Sequence, residues 1–205
     1  MSSIKLKHSG GNSVSIAAPT SNPSANRTLL LPSDADSTID TLARTGNILQ
    51  VVQASTQAEK ETSDTQLVDT NLESSITPIA AGSKILINIA QQLSINTTNS
   101  GGGGGLNLLR KVASGSFSII ENSPSNSAGP FSYFLSVGGG TALNYHFRHN
   151  LLNLDSPSYS LGDAITYKTQ MRLFQSASGT VLRAQNDAAD VIPPTSFIVL
   201  MEVAG

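Results

Sequence analysis

The chain contains no cysteine and no tryptophan, and it is poor in aromatic residues (5%) and in charged ones (13%). The missing cysteine excludes a disulfide framework and thiolate metal sites, so packing alone must hold the fold. The missing tryptophan, with only four tyrosines, counts against a deep carbohydrate cleft walled by sugar-stacking rings. A net charge of −2 without any basic run argues against a nucleic-acid surface. No run of about 18 apolar residues occurs, so no membrane span is expected. The opening S-S-I-K-L-K-H-S-G-G lacks the apolar core of a signal peptide, which predicts synthesis in a cytoplasm and a soluble product.

Serine, threonine, asparagine and glycine fill the space that charge and aromatics leave. Glycine and asparagine suit turns and strands tolerate serine and threonine, a balance typical of β-structured extracellular or virion proteins. The clearest strand is Ser83 to Asn96, S-K-I-L-I-N-I-A-Q-Q-L-S-I-N. Ile85, Ile87, Ile89, Leu93 and Ile95 fall on one side at a period of two, with Lys84, Asn88, Gln92, Ser94 and Asn96 mostly on the other. A helix would scatter the isoleucines around its circumference. Gln91 interrupts the apolar row and Leu86 sits on the polar side, so a bulge or a second contact surface is expected near each. At about 3.3 Å per residue this stretch spans roughly 45 Å, which suits an elongated sandwich packed against copies of itself.

Two more long strands are expected. Asp163 to Gln175 sets Ile165, Tyr167, Met171 and Leu173 against Thr166, Lys168, Gln170 and Arg172. Thr195 to Val203 has Phe197, Val199 and Met201 on one face and Ile198 and Leu200 on the other, so both faces want burial. A two-sheet sandwich ordinarily leaves one face wet. These five residues are therefore the candidate subunit interface.

Shorter strands are expected at Gly46–Gln53, Leu67–Ile76, on either side of Gly115 within Leu106–Ile120, at Phe131–Leu135, Leu143–Leu154 and Thr180–Ala184. The chain thus divides into an arm, residues 1–45, and an all-β domain, residues 46–205. In the arm, Ile4–Lys7 and Val14–Ile16 flank a Gly10-Gly11-Asn12 turn, Arg27–Leu31 is a third strand, and Ser33 to Ala43 holds one helical turn. Strands so short and free of aromatics cannot build a core. Ile4, Leu6, Val14, Ile16, Leu29, Leu30 and Leu31 are accordingly expected to bury against other chains. Glu59-Lys60-Glu61 reads as a solvated loop or a strand edge. Every Phe and Tyr lies at or after Phe117, which places the heavy core in the C-terminal half.

Little in the chain suggests chemistry. Gly101 to Gly105 lacks the Lys-Ser or Lys-Thr of a phosphate loop and precedes a strand, so it reads as a flexible hairpin tip or a place of close backbone approach. His146 and His149 have H-x-x-H spacing, but on a strand they point to opposite faces, and His8 stands apart. Asp155, Asp163, Asp187 and Asp190 are scattered in turns, and no G-x-S-x-G elbow occurs. No catalytic, cofactor or metal residue is assigned, and no enzyme activity is expected. The loops Asn96–Gly105, Glu121–Pro130 and Asp155–Ser160 are the natural contact candidates.

Four stretches carry a family resemblance. The opening I-K-L-K-H-S-G-G-N through A-A-P-T-S-N-P and R-T-L-L-L-P resembles the N-terminal module of tail-fibre-like virion proteins of phages infecting marine and cyanobacterial hosts. G-N-I-L-Q-V-V-Q, then S-I-T-P with S-K-I-L-I-N-I, and the closing F-I-V-L-M-E-V are similar to elements of the same proteins. The resemblance implies a jelly-roll β-sandwich head like the trimeric C1q/TNF-like heads, with the last strand mid-sheet beside the three-fold axis. It implies a homotrimeric tail fibre for host adsorption, localised to the virion and anchored through residues 1–45 to other virion proteins. The alternative is a capsid fibre or decoration protein that binds capsomers. A host-surface glycan or protein would be the external partner, with no cofactor, nucleic acid or membrane insertion.

Overall fold

The computed structural model describes residues 3–7, 9–11, 13–17, 44–97, 103–120, 132–135, 143–174, 179–185 and 194–205. Among them there is no helix. The chain divides into two units, Met1–Ile39 and Asp40–Gly205.

In the first unit, β1 (Ser3–Lys7) and β2 (Ser13–Ala17) form an antiparallel hairpin in which Ile4 faces Ile16 and Leu6 faces Val14. Gly11 turns the chain at a φ of 95°, a conformation that costs glycine little. The expected third strand with Leu29, Leu30 and Leu31, and the helical turn after it, lie outside the described residues.

The second unit begins with β3 (Ile48–Thr56), β4 (Lys60–Thr62), β5 (Val68–Ile76), β6 (Lys84–Thr97) and β7 (Gly103–Val112). It continues with β8 (Ser118–Ile119), β9 (Ser132–Leu135), β10 (Leu143–Asp155), β11 (Ile165–Leu173), β12 (Val181–Ala184) and β13 (Ser196–Val203). Two antiparallel sheets form a sandwich. In the larger, β6 is central. Its residues 85–90 pair with both β13 and β10, and residues 93–96 with both β12 and β10, so β13 and β12 share one edge of β6 and β10 takes the other. β3 flanks β13, and β4 flanks β12 as the edge strand expected of the Glu59-Lys60-Glu61 stretch. The second sheet runs β5-β11-β7, with β8 and β9 on the far edge of β7.

The period-two reading of β6 holds. Ile85, Ile87, Ile89, Leu93 and Ile95 are at most 1% exposed, and they meet Leu72 and Ile76 of β5, Leu106 and Leu108 of β7, and Ile165, Tyr167, Met171 and Leu173 of β11. No bulge interrupts β6: its pairing with β10 is continuous from Ile85 to Thr97. Gln91 instead points into the core. There it accepts a hydrogen bond from Thr169 Oγ1 at 2.7 Å, and its Nε2 donates to Gln185 Oε1 at 2.6 Å once that amide is turned to satisfy its neighbours. Gln185 then accepts from Ser196 and donates to Ala58 O and Thr70 O, while Thr70 and Thr169 bond through their hydroxyls. All five side chains are buried. This polar belt separates the two apolar clusters of the core. Removing one member strands the others without water, at about 1–3 kcal/mol for each orphaned group. The Gln91→Ala variant should therefore lose about 3 kcal/mol in a denaturant titration. A loss below about 1 kcal/mol would mean that the belt relaxes freely.

Two expectations need correction. Of the two readings of the glycine run, the hairpin tip fails for Gly103, Gly104 and Gly105 and the place of close backbone approach fits: they are buried within β7, with Gly104 paired to Leu173 on one side and to Phe134 on the other. A residue with no side chain carries no periodic signal, so the strand begins three residues before its first leucine, at Gly103. The core does draw more on the C-terminal half, but not through its aromatics: aliphatic residues supply nearly all of it, and Tyr167 is the single fully buried aromatic among the described residues.

Candidate functional site

Alternation along four adjacent strands dictates the outer face of the larger sheet. Register lines up Val51, Met201, Leu86 and Leu154 in one row, and Gln53, Val199, Asn88 and Leu152 in the next. Ser55, Phe197, Ala90 and Asn150 form a third row. Ile198 and Leu200 face inward and are fully buried, whereas Phe197, Val199 and Met201 remain half-buried on the outer face. The five residues singled out for the subunit interface thus split, three outside and two in the core. Around them Val51 (57%), Leu152 (68%), Leu154 (53%) and Ile48 (55%) are exposed. These rows carry no charged side chain. The apolar area is on the order of 500 Å², at the upper end of what soluble monomers leave open. Beyond the third row the face turns polar, with Arg148 opposite Gln92 and His146 opposite Ser94.

β10 adds a second demand for cover. Among the described residues it is an edge strand of 13 residues in unbroken register, with no proline and no bulge. Such an edge is open to pairing with other chains unless something covers it.

The two histidines of β10 do face opposite sides. His146 is exposed on the outer face, while His149 is half-buried on the inner face, its ring edge-on to Phe147 with centroids 5.0 Å apart. Burial holds His149 below the usual imidazole value. No group of three metal-ligating side chains converges among the described residues. Asp155 ends β10 in a structural role: it accepts from Arg110 Nη1 and from the Tyr167 hydroxyl, each at 2.8 Å. Burial and the adjacent carboxylate push the Tyr167 phenol well above its ordinary value. Of the three loops expected to be contact surfaces, 121–130 lies outside the described residues. Of Asn96–Gly105, residues 98–102 also lie outside the described residues and Gly103–Gly105 is buried; Tyr159 ties the third loop down by donating to Ala80 O at 2.6 Å.

At the lower end of the same sheet sits a feature that the sequence pattern conceals. Glu202 is fully buried, and its carboxylate accepts from Gln50 Nε2 (2.6 Å), Ile79 N (3.0 Å), Ala80 N (3.0 Å) and Ser83 Oγ (2.7 Å). Burial alone would raise its pKa, but donation from Gln50, Ile79, Ser83 and Ala80 outweighs this and holds the carboxyl below its ordinary value. Gln50 Nε2 also reaches Thr77 O, and Tyr159 accepts from Ser83 N. The end of the chain closes the clamp: Gly46 and Asn47 exchange backbone bonds with Ala204, and a Cβ on Gly205 would overlap Gly82 O. The clamp joins the stretches of resemblance that lie after the arm, with Gln50 from I-L-Q-V-V, Thr77 from S-I-T-P, Ser83 from S-K-I-L and Glu202 from L-M-E-V. No family model matches the chain, and no curated protein matches it.

Proposed function

We propose that the protein is a structural component of a phage virion, a homotrimeric tail fibre whose N-terminal arm is its anchor and whose β-sandwich head is displayed for host adsorption. The observation that carries this reading is the uncovered apolar face centred on β13. At about 25 cal/mol per Å², covering some 500 Å² contributes on the order of 10 kcal/mol per chain before the cost of association. A closed cyclic arrangement covers such a face in every copy and shields the β10 edges at the same time.

What supports a jelly-roll head is the wiring. Take β3, β5, β6, β7, β9, β10, β11 and β13 as strands one to eight: one sheet then reads 1-8-3-6 and the other 2-7-4-5. Such an order follows when a long antiparallel ribbon folds over on itself, as in the double Greek key of jelly rolls. The last strand stands mid-sheet, and its outer face belongs to the open patch. The arm hairpin pairs Ile4 with Ile16 and Leu6 with Val14 in register, and the arm's sequence, short and free of aromatics, offers too little to build a core. No catalytic role is part of this reading.

Sedimentation equilibrium at micromolar concentration should return three times the 21.3 kDa of one chain. A stable monomer would end the reading. In a map of the intact particle, density for the head should project from the tail; density on the capsid shell would overturn the tail assignment.

A further inference from the structure

The smaller sheet carries a polar cleft on its edge strand. Along β5, Glu73 faces Lys168 and Asp69 faces Gln170, so the stretch 69–73 on β5 opposes only 168–170 on β11. The surplus forms a bulge. It turns Thr70 into the core, where the hydroxyl bonds Thr169, and leaves Asn71 exposed at a φ of 64°. Thr70 explains why the bulge exists. It does not explain what stands outside it, a cleft of about 150 Å³ lined by Asp69, Asn71, Leu72, Glu73, Lys168 and Thr169.

The polar groups of the cleft are held in place. Asp69 accepts from Lys168 Nζ at 2.8 Å and from Gln170 Nε2 at 2.6 Å. The Lys168 side chain is only 13% exposed, and its ammonium lies 4.1 Å from the centroid of the Phe117 ring. The Asn71 amide makes long contacts of 3.4 Å with Ala58 O and Glu59 O, which tether it to the segment before β4. Groups fixed in this way lose little freedom when a ligand arrives.

Charge and size narrow the ligand. Two carboxylates against one ammonium disfavour an anion. The same ammonium disfavours a divalent cation. The one apolar lining residue, Leu72, is buried, so an apolar guest finds little surface. The volume falls short of the roughly 300 Å³ at which pockets for drug-sized ligands begin. What fits is a small neutral molecule whose groups both donate and accept hydrogen bonds, as hydroxyls do. We propose that this cleft binds a single ring of a neutral, hexose-containing surface polysaccharide, and that it is a point of contact in the adsorption role proposed above, on which it rests. Three copies on one head would convert weak single-ring binding into firm attachment to a repetitive polymer.

The test titrates the ¹⁵N-labelled full chain with glucose, galactose, mannose and N-acetylglucosamine, each to about 100 mM, enough to saturate a millimolar site. Saturable amide shifts confined to 69–73 and 168–170 are expected with at least one sugar. Affinity should fall at least tenfold in Asp69→Ala, which gives up the ion pair with Lys168 and the amide bond from Gln170 at an exposed position and should keep the wild-type fold. Absence of saturable shifts there with all four sugars, or undiminished binding by Asp69→Ala, would overturn the proposal. A monomer that still binds through Asp69 would leave the site standing and remove the trimeric fibre. A trimer that belongs to virions and binds none of the four would remove the site alone.

Discussion

Glu202→Ala is expected to destabilise the head by about 4 kcal/mol and to lower its melting temperature by about 10 °C. The carboxylate lies in a dry position and accepts from two backbone N–H groups, a hydroxyl and an amide. Alanine leaves the Ile79 and Ala80 N–H groups without an acceptor and with little water to replace it, while Gln50 and Ser83 lose their charged partner and keep only Thr77 O and Ala80 O. Glu202→Gln should cost less but not nothing, because its NH₂ group would face donors where an acceptor is needed. The pH dependence follows from the sign of the shift. Glu202 titrates below its ordinary value of 4.5 in the folded protein, so its contribution is complete above that pH and is lost as pH falls through the lower folded value. Calorimetry from pH 7 downward should show the wild type losing stability in acid more steeply than Glu202→Gln. Equal slopes, or an alanine variant within about 1 kcal/mol of wild type, would mean that the 79–83 turn holds itself.

Two leucine-to-aspartate changes should have opposite consequences. Leu200 is fully buried among Ile85, Ile87, Ile198 and Tyr167, and a carboxylate there has no partner. Leu200→Asp is expected to abolish folding, seen as insoluble protein without a cooperative melt. Leu152, 68% exposed on the outer face, should tolerate aspartate in the single chain. Leu152→Asp is expected to melt within about 1 kcal/mol of wild type at the chain level but to sediment as a monomer, since a charge buried between copies would lack a partner. A trimeric Leu152→Asp protein would exclude this face from the interface. A soluble, folded Leu200→Asp would contradict the inward orientation of alternate residues in β13.

Legibility from sequence tracked how local the cause was. Ile85, Ile87 and Ile89 announce β6 because period-two alternation is written within a few residues of itself. Both faces of β13 were readable for the same reason, although which row turned inward was not, since that depends on the sheet packed against it. Gln91 looked like an interruption because its partners, Thr169 and Gln185, lie far along the chain, and only the fold brings them together. Glu202 was hidden in the same way: Ile79 and Gln50 are 123 and 152 positions away. The start of β7 was illegible for a different reason, because glycine shows neither face nor period. Leu86 and Leu154 were faint signals of the open face, apolar residues on the polar side of an alternation.

β13 is the last strand of the head in chain order, yet it lies between β3, the first, and β6. A nascent chain still short of Ser196 therefore leaves β3 without its neighbour and one edge of β6 bare along residues 84–90. Chaperone engagement should persist on the ribosome until the tunnel has cleared this strand. A chain cut short before Ser196 would leave the core beneath β13 open to degradation.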